Sequence, residues 1–283
     1  MDRTYQAIYV SVLSATPLAW LGNPRAIERR RNRLKNLTNR RRCPDGQTEP
    51  IRASTPNAHP MKVGLISDVH ANLPALEAVL DDMPTVDRIV CAGDVIGYNP
   101  WPSECVERVR DVAAMTVRGN HDRTVETPEK YRANRMVEAG LKHAKASLSD
   151  DQRAWLDGLP RVETFAGDRF LLVHSHPAAE REDAYVYPDE FSTLDRHMGE
   201  YDGIVLGHTH VQGTRAVAGG VVVNPGSVGQ PRDGDPDAGY AVLDTQSDEV
   251  DLRRTAYDID RVSEAVADAG LPERTGARLY KGE

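Results

Sequence analysis

Five apolar runs in this chain of 283 residues end abruptly in side chains that can hold a metal ion. KVGLI is followed by Ser67-Asp68-Val69-His70, RIVCAG by Asp94, AAMTVRG by Asn120 and His121, RFLLV by His174, and GIVLG by His208 and His210. Runs of this length, rich in Val, Ile and Leu and bounded by Gly or polar clusters, read as buried strands. One carboxylate or imidazole at a strand end has an ordinary explanation, since Asp stabilises turns and a lone histidine is most often a satisfied structural residue. The second D-x-H of the chain, Asp195-Arg196-His197, lies in a polar segment with no strand before it and shows how little the triplet means alone. Seven ligand-capable residues at five strand ends are a different matter. Buried and unpaired, each would cost roughly 2–7 kcal/mol, and more if charged. They call for a fold that brings the ends together, and strand C-termini along one edge of a parallel sheet open on such a common crevice.

The order of the remaining elements agrees. The strand KVGLIS (62–67) precedes a helix opened by Leu73-Pro74, where proline is tolerated. RIVCAG, the helix SECVERVRDV (103–112) and the strand AAMTVRG complete a βαβαβ unit, which implies parallel pairing and right-handed crossovers. Two helices are expected near 130–147 and 150–157. RVETFA and RFLLVHS form a hairpin turning at Gly167-Asp168. The runs GIVLGHTH, TRAVAGGVVVNPGS, AGYAVLDT and EVDLRRTAYD are assigned to a second sheet, and DIDRVSEAVADAG closes the chain as a helix. The expected fold class is α/β, with two packed mixed β-sheets flanked by α-helices.

Charge divides the chain at Met61. Residues 1–60 hold 11 Lys and Arg against 4 Asp and Glu, show no sustained apolar period, and read as a basic N-terminal extension, disordered or dispensable to the domain. The run IYVSVLSATPLAWLG within it is interrupted by Pro17 and is too short to span a membrane. Residues 61–283 hold 24 Lys and Arg against 39 Asp and Glu, a sign that repels phosphate backbones, so no stable nucleic-acid partner is expected. Three unequally spaced cysteines, Cys43, Cys91 and Cys105, imply neither a disulfide framework nor a CxxC metal site, and a cytoplasmic location fits best. Self-association into a homo-oligomer is left open.

Two Asp, one Asn and four His, with no Cys, make a donor set suited to Mn, Fe, Co, Ni or Zn in five- or six-coordination rather than to a structural tetrahedral zinc. Seven ligands exceed the need of one such ion. Two ions about 3.5–4 Å apart, sharing a carboxylate, use them all.

DVH (68–70), GD (93–94), GNHD (119–122), VH (173–174) and GHTH (207–210), in this order, resemble the five motifs of the calcineurin-like metallophosphoesterase family. The likeness runs over about 62–245, and NPGSVGQPRDGDPDAGYAVLD and the C-terminal YDIDRVSEAVADAGLPERTGARLYKG resemble its small prokaryotic phosphodiesterase branch. It implies a four-layer sandwich and a phosphoesterase that binds two divalent ions, Mn foremost, and hydrolyses small phosphodiesters or nucleotides by a hydroxide bridging the ions. Asp68, His70 and His210 would hold one ion, Asn120, His174 and His208 the other, and Asp94 would bridge them. His121 would face the substrate phosphate. Asp122 would either orient that imidazole or stabilise the turn.

Two departures stand out. The larger protein Ser/Thr phosphatases of the family follow GD with a second Asp and an Arg, whereas this chain reads GDVIGYNP with Gly97 at the place of that Asp. His176 stands where the branch has a small residue, and it reads as a solvated loop histidine in preference to a substrate contact; His143 and His197 read as structural or surface residues. Alternatives to a small-substrate enzyme are a non-catalytic protein-binding scaffold of the same fold and a nuclease. A chain beginning at Met61 is expected to fold and keep the activity of the whole; an insoluble or inactive 61–283 protein would make the basic extension part of the working domain.

Overall fold

Lys62–Ile66 (β1), Arg88–Cys91 (β2) and Ala113–Thr116 (β3) lie parallel in one sheet of the computed structural model, which describes residues 60–283. The expectations placed on the basic extension fall outside the described residues up to position 59. Helices Leu73–Asp82 (α1) and Pro102–Val112 (α2) make the two crossovers. Each opens with a proline in its first turn, where the missing N–H costs nothing, and the Asn72 side chain caps α1 by accepting from the Ala75 N–H at 3.2 Å.

The same sheet also holds Ala238–Asp244 (β9) and Glu249–Thr255 (β10), in the order β10-β9-β1-β2-β3. This corrects the expectation that these two runs belong to the second sheet. β9 runs antiparallel to β1, with Val63 opposite Leu243 and Leu65 opposite Ala241. The segment before it crosses from one sheet to the other, and its Val228 and Gly229 N–H groups donate to Ser67 O and Asp68 O, both at 3.0 Å. The order of strands along the chain suggested continuity with the preceding hairpin, but the open edge of β1 satisfies the backbone of β9.

The second sheet has the order β4-β5-β6-β8-β7, from Val162–Phe165 (β4), Phe170–Val173 (β5), Gly203–Val205 (β6), Gly213–Val217 (β7) and Gly220–Asn224 (β8). β5, β6 and β8 are parallel, and the β4-β5 hairpin turns through Ala166, Gly167 and Asp168, all at positive φ. Side chains alternate along both sheets. Val63, Leu65, Val90, Phe170, Leu172, Val205 and Leu243 meet between the sheets. Ile66, Leu76, Val79, Val106 and Leu141 pack the other face of the first sheet against helices. Leu171, Val173, Ile204 and Val222 pack the outer face of the second against Phe191, Leu194 and Met198. That outer layer is the 3-10 turn Pro188–Leu194 running into the single turn Asp195–Met198.

Between the halves lie Asn120–Thr124 (α3), Arg135–Ser147 (α4) and Asp150–Gly158 (α5). The helix expected over 130–147 begins later than its apolar period suggests, because Asn134 caps it and Pro128–Tyr131 forms a separate 3-10 turn. Gly140 lies in the interior of α4, where Ala would ordinarily be better by about 1 kcal/mol. A Cβ there would stand 2.3 Å from Tyr98 N. Gly140→Ala is therefore expected to lower unfolding stability by about 1–3 kcal/mol, the usual cost of overpacking, as read from the denaturant midpoint.

Candidate metal centre

The strand ends turn sharply. Asp68 (φ 52°), His70 (47°), Asp94 (53°), His208 (69°) and His210 (59°) all take the left-handed conformation. Each such residue costs on the order of 1–3 kcal/mol and persists only where its surroundings hold it. Here the Asp68, His70 and Ala71 N–H groups donate to Gly93 O, Asp94 O and Val95 O at 2.9–3.0 Å. Two residues apart on these turns, Asp68 and His70 point into one space, as do His208 and His210. The ends of the two sheets close tightly enough that a Cβ at Gly207 would lie 1.9 Å from Ser67 Oγ, so glycine alone fits in GHTH.

All seven expected ligands come together and all are buried. Asp68 Oδ1 is 3.2 Å from His210 Nε2 and 3.7 Å from His70 Nε2. Asp94 Oδ2 is 3.7 Å from His70 Nε2 and 3.4 Å from His174 Nε2. Asn120 Oδ1 and His208 Nδ1 approach His174 Nε2 to 3.1 and 3.2 Å. Asn120 is turned this way because its amide donates to Tyr131 Oη at 2.8 Å.

Backbone carbonyls assign the tautomers. His70 Nδ1 donates to Ile96 O at 3.1 Å, His174 Nδ1 to Ala92 O at 2.8 Å and His210 Nδ1 to Gln230 O at 2.6 Å, which turns each Nε2 inward. His208 is reversed: Nε2 donates to Asp183 O at 3.0 Å and Nδ1 faces the centre. Burial first, then neighbouring imidazoles, lower the His70 and His208 pKa values, and His208 falls to about 4. The Nε2 atoms of His70 and His210 thus face one another at 3.0 Å across the centre. Asp68 Oδ1 is buried without a hydrogen-bond partner. Burial resists ionising Asp68 and Asp94, yet the imidazoles, His210 for one and His174 for the other, hold both carboxyls well below the usual range. Burial also resists protonating His174, but the carboxylates beside it outweigh burial and push it up to about 10. The site thus draws positive charge and presents lone pairs to it, and its donors fit divalent cations.

Of the two readings for Asp122, the hydrogen bonds are those of the turn-stabilising one. Its carboxylate accepts from the N–H groups of Asp94, Val95, Ile96 and Gly119 at 2.9–3.3 Å, tying the second and third strand ends together. Burial and the nearby Asp94 charge push it up to about 7, against the pull of those amides. His121 donates its N–H to Asp94 Oδ1 at 2.8 Å, and its ring Nε2 lies 4.0 Å from Asp94 Oδ2. The Nδ1 atom is buried without a partner, and burial lowers the imidazole to about 4.

The centre opens on a cavity of about 370 Å³. Tyr98, Tyr131, Arg232 and Arg278 line it and were not read as site residues, because no strand end or ligand spacing marks them. Tyr98, at φ 58°, signals its place only through the Gly-Tyr-Asn turn after GD. From the segment between β5 and β6, Tyr185 stacks on His208 at 4.4 Å, while Arg123 of α3 holds Glu182 and Asp183.

His176 is buried, which corrects its reading as a solvated loop residue. Its Nδ1 accepts from the Ala178 N–H at 3.0 Å, and its ring meets His197 edge-on at 5.0 Å. His143 donates to Pro100 O at 3.1 Å, a structural role. Burial lowers His176 to about 4, whereas an unfolded histidine titrates near 6.5. Between those values the unfolded chain binds the extra proton, so stability falls as pH falls from about 6.5 to 4. His176→Gln, which keeps an acceptor but cannot titrate, is expected to flatten that part of a melting-temperature profile; an unchanged slope would mean the folded imidazole takes the proton freely.

The sequence profile of the calcineurin-like phosphoesterase superfamily domain matches residues 61–248. An uncharacterised protein of Methanocaldococcus jannaschii is 32% identical over 240 residues, spanning 78% of this chain and 98% of its own. The crystal structure of a metallophosphoesterase from Sphaerobacter thermophilus, 33% identical, superposes with a TM-score of 0.67 over 80% of this chain and all of its own. A protein of Escherichia coli named phosphodiesterase YfcE is 28% identical over 196 residues, 65% of this chain and 88% of its own. With two such sheets and these motifs at their joined edge, the chain belongs to the calcineurin-like phosphoesterase superfamily and is a metal-dependent phosphoesterase.

Proposed function

We propose that this protein hydrolyses small phosphodiesters or nucleotides at a centre of two divalent ions. The observation that carries the reading is the position of Asp94 Oδ2, within 3.7 Å of His70 on one side and 3.4 Å of His174 on the other. Asp68, His70 and His210 would hold one ion, Asn120, His174 and His208 the second, and Asp94 both. When bound, such ions neutralise phosphate oxygens and lower the pKa of a water to make a nucleophile. Mn²⁺ is the first choice among Mn, Ni, Fe, Co and Zn for a set of oxygen and imidazole donors without sulfur.

The chain's own residues do the positioning. Asp122 holds the Asp94 turn, and the Nδ1 carbonyl contacts keep the histidine rings from rotating away. His121 lies beside Asp94 and faces the cavity, where its ring can hydrogen-bond the phosphate or the leaving oxygen. Gly97 leaves no carboxylate beside the His121 Nδ1, since a Cβ there would lie 2.3 Å away, and this sets the site apart from the protein Ser/Thr phosphatase pattern. The name of the E. coli relative supports a diester substrate. A cytoplasmic setting belongs to the proposal: Cys91 and Cys105 are free, and no helix among the described residues is long and apolar enough to cross a membrane.

The Mn²⁺-loaded protein is expected to hydrolyse bis(p-nitrophenyl) phosphate. Inactivity on aryl mono- and diesters with Mn, Ni, Co and Zn in turn would overturn the reading. His121→Ala should keep both ions by elemental analysis while turnover falls about 10²–10⁴-fold. Loss of metal instead would make His121 a ligand.

A further inference from the structure

Several arginines of this acidic domain, among them Arg108, Arg123, Arg153 and Arg169, pair with Asp or Glu. Two others, Arg232 and Arg278, line the cavity over the candidate metal centre. Among the described residues neither Arg232 nor Arg278 forms an ion pair with a side-chain carboxylate. Arg232 is fixed by neutral oxygens instead. Its backbone N–H donates to His210 O at 3.1 Å, and its Nη2 donates to Tyr98 Oη at 2.9 Å and Gln230 Oε1 at 2.8 Å. Its Nε is buried with no partner. Arg278 is half-buried and donates its Nε to the terminal carboxylate oxygen of Glu283, whereas Arg232 has its own partners in Tyr98 and Gln230. Burial first, then the charge of Arg232, draws Arg278 below its usual pKa, so the two cations feel each other in a partly desolvated wall. Holding like charges this way is unfavourable unless an anion is shared between them.

Tyr98 fixes where that anion would sit. Its ring packs against His70 at 4.8 Å and His121 at 5.0 Å, and its hydroxyl meets Arg232. A phosphate at the metal centre lies against Asp94 and His121, so the guanidiniums, reached through Tyr98, meet the next part of the substrate. The cavity volume of about 370 Å³ is within the range of small-ligand sites. Guanidinium forks suit phosphate oxygens better than any other common anion.

We propose that Arg232 and Arg278 form a subsite for a second phosphate, so that the preferred substrates are phosphodiesters or nucleotides carrying a phosphate besides the one cleaved. This rests on the reading of the metal centre given above, and the test is one of binding rather than turnover. Calorimetric titration of the Mn²⁺-loaded protein would compare thymidine 5′-monophosphate with thymidine 5′-diphosphate and thymidine 3′,5′-bisphosphate. At least one doubly phosphorylated ligand is expected to bind about 10- to 100-fold tighter, the worth of one or two charge-assisted hydrogen bonds. In Arg232→Gln and in Arg278→Gln, each checked for metal content and melting temperature, that ratio should fall toward one. A ratio near one in the wild type, or a ratio that survives both substitutions, would overturn the subsite. So would equal weakening of mono- and bisphosphate, which would place the guanidiniums on the scissile phosphate. A catalytically inactive protein that still shows the ratio would refute the reaction and leave the subsite standing.

Discussion

Asp68 and Asp94 are buried where the edges of two sheets meet, and the surrounding structure both keeps them there and compensates them. A carboxylate without a cation in such a place is costly. Asp68 has one oxygen engaged by Ser67 Oγ and the His208 N–H, and Asp94 has one engaged by the His121 N–H. In each the other oxygen is turned toward imidazoles. Half of each carboxylate is engaged by the architecture and half faces the imidazoles of the candidate centre.

That division works because the turns carrying these residues cannot relax. Five of the seven candidate ligands sit on left-handed backbone, and the strain is held by inter-strand hydrogen bonds and by Asp122, whose carboxylate binds four amides from two turns. Main-chain carbonyls fix which nitrogen of each imidazole faces inward. Every candidate donor is therefore held in place by the fold itself, the condition under which electrostatic catalysis costs least reorganisation.

The cavity wall is assembled differently. His208 is held by Asp183 and covered by Tyr185 from the segment between β5 and β6, while Tyr98 packs on His70 and bonds Arg232. These groups come from turns and loops of different elements, and they shape access to the candidate centre.

Much of this was legible in the residues. The strand ends at Asp68, Asp94, Asn120, His174 and His208 carried the candidate metal donors because a short continuous apolar run announces a buried strand, and the residue just past it must face an edge. The βαβαβ order followed from the same periodicities. The partner of β9 did not, since pairing across a crossing loop depends on which strand edge lies open. Nor did the burial of His176, the late start of α4, or the choice of Asp122 for amides over an imidazole, all of which turn on contacts between segments far apart in the chain. Sequence by itself determined the ligand types and their places at strand ends, because both are local properties. Only the tertiary structure decided which nitrogen faces inward, which carboxylate oxygen stands between the two groups of candidate ligands, and which arginines line the cavity over them, because these depend on neighbours that the chain supplies from a distance.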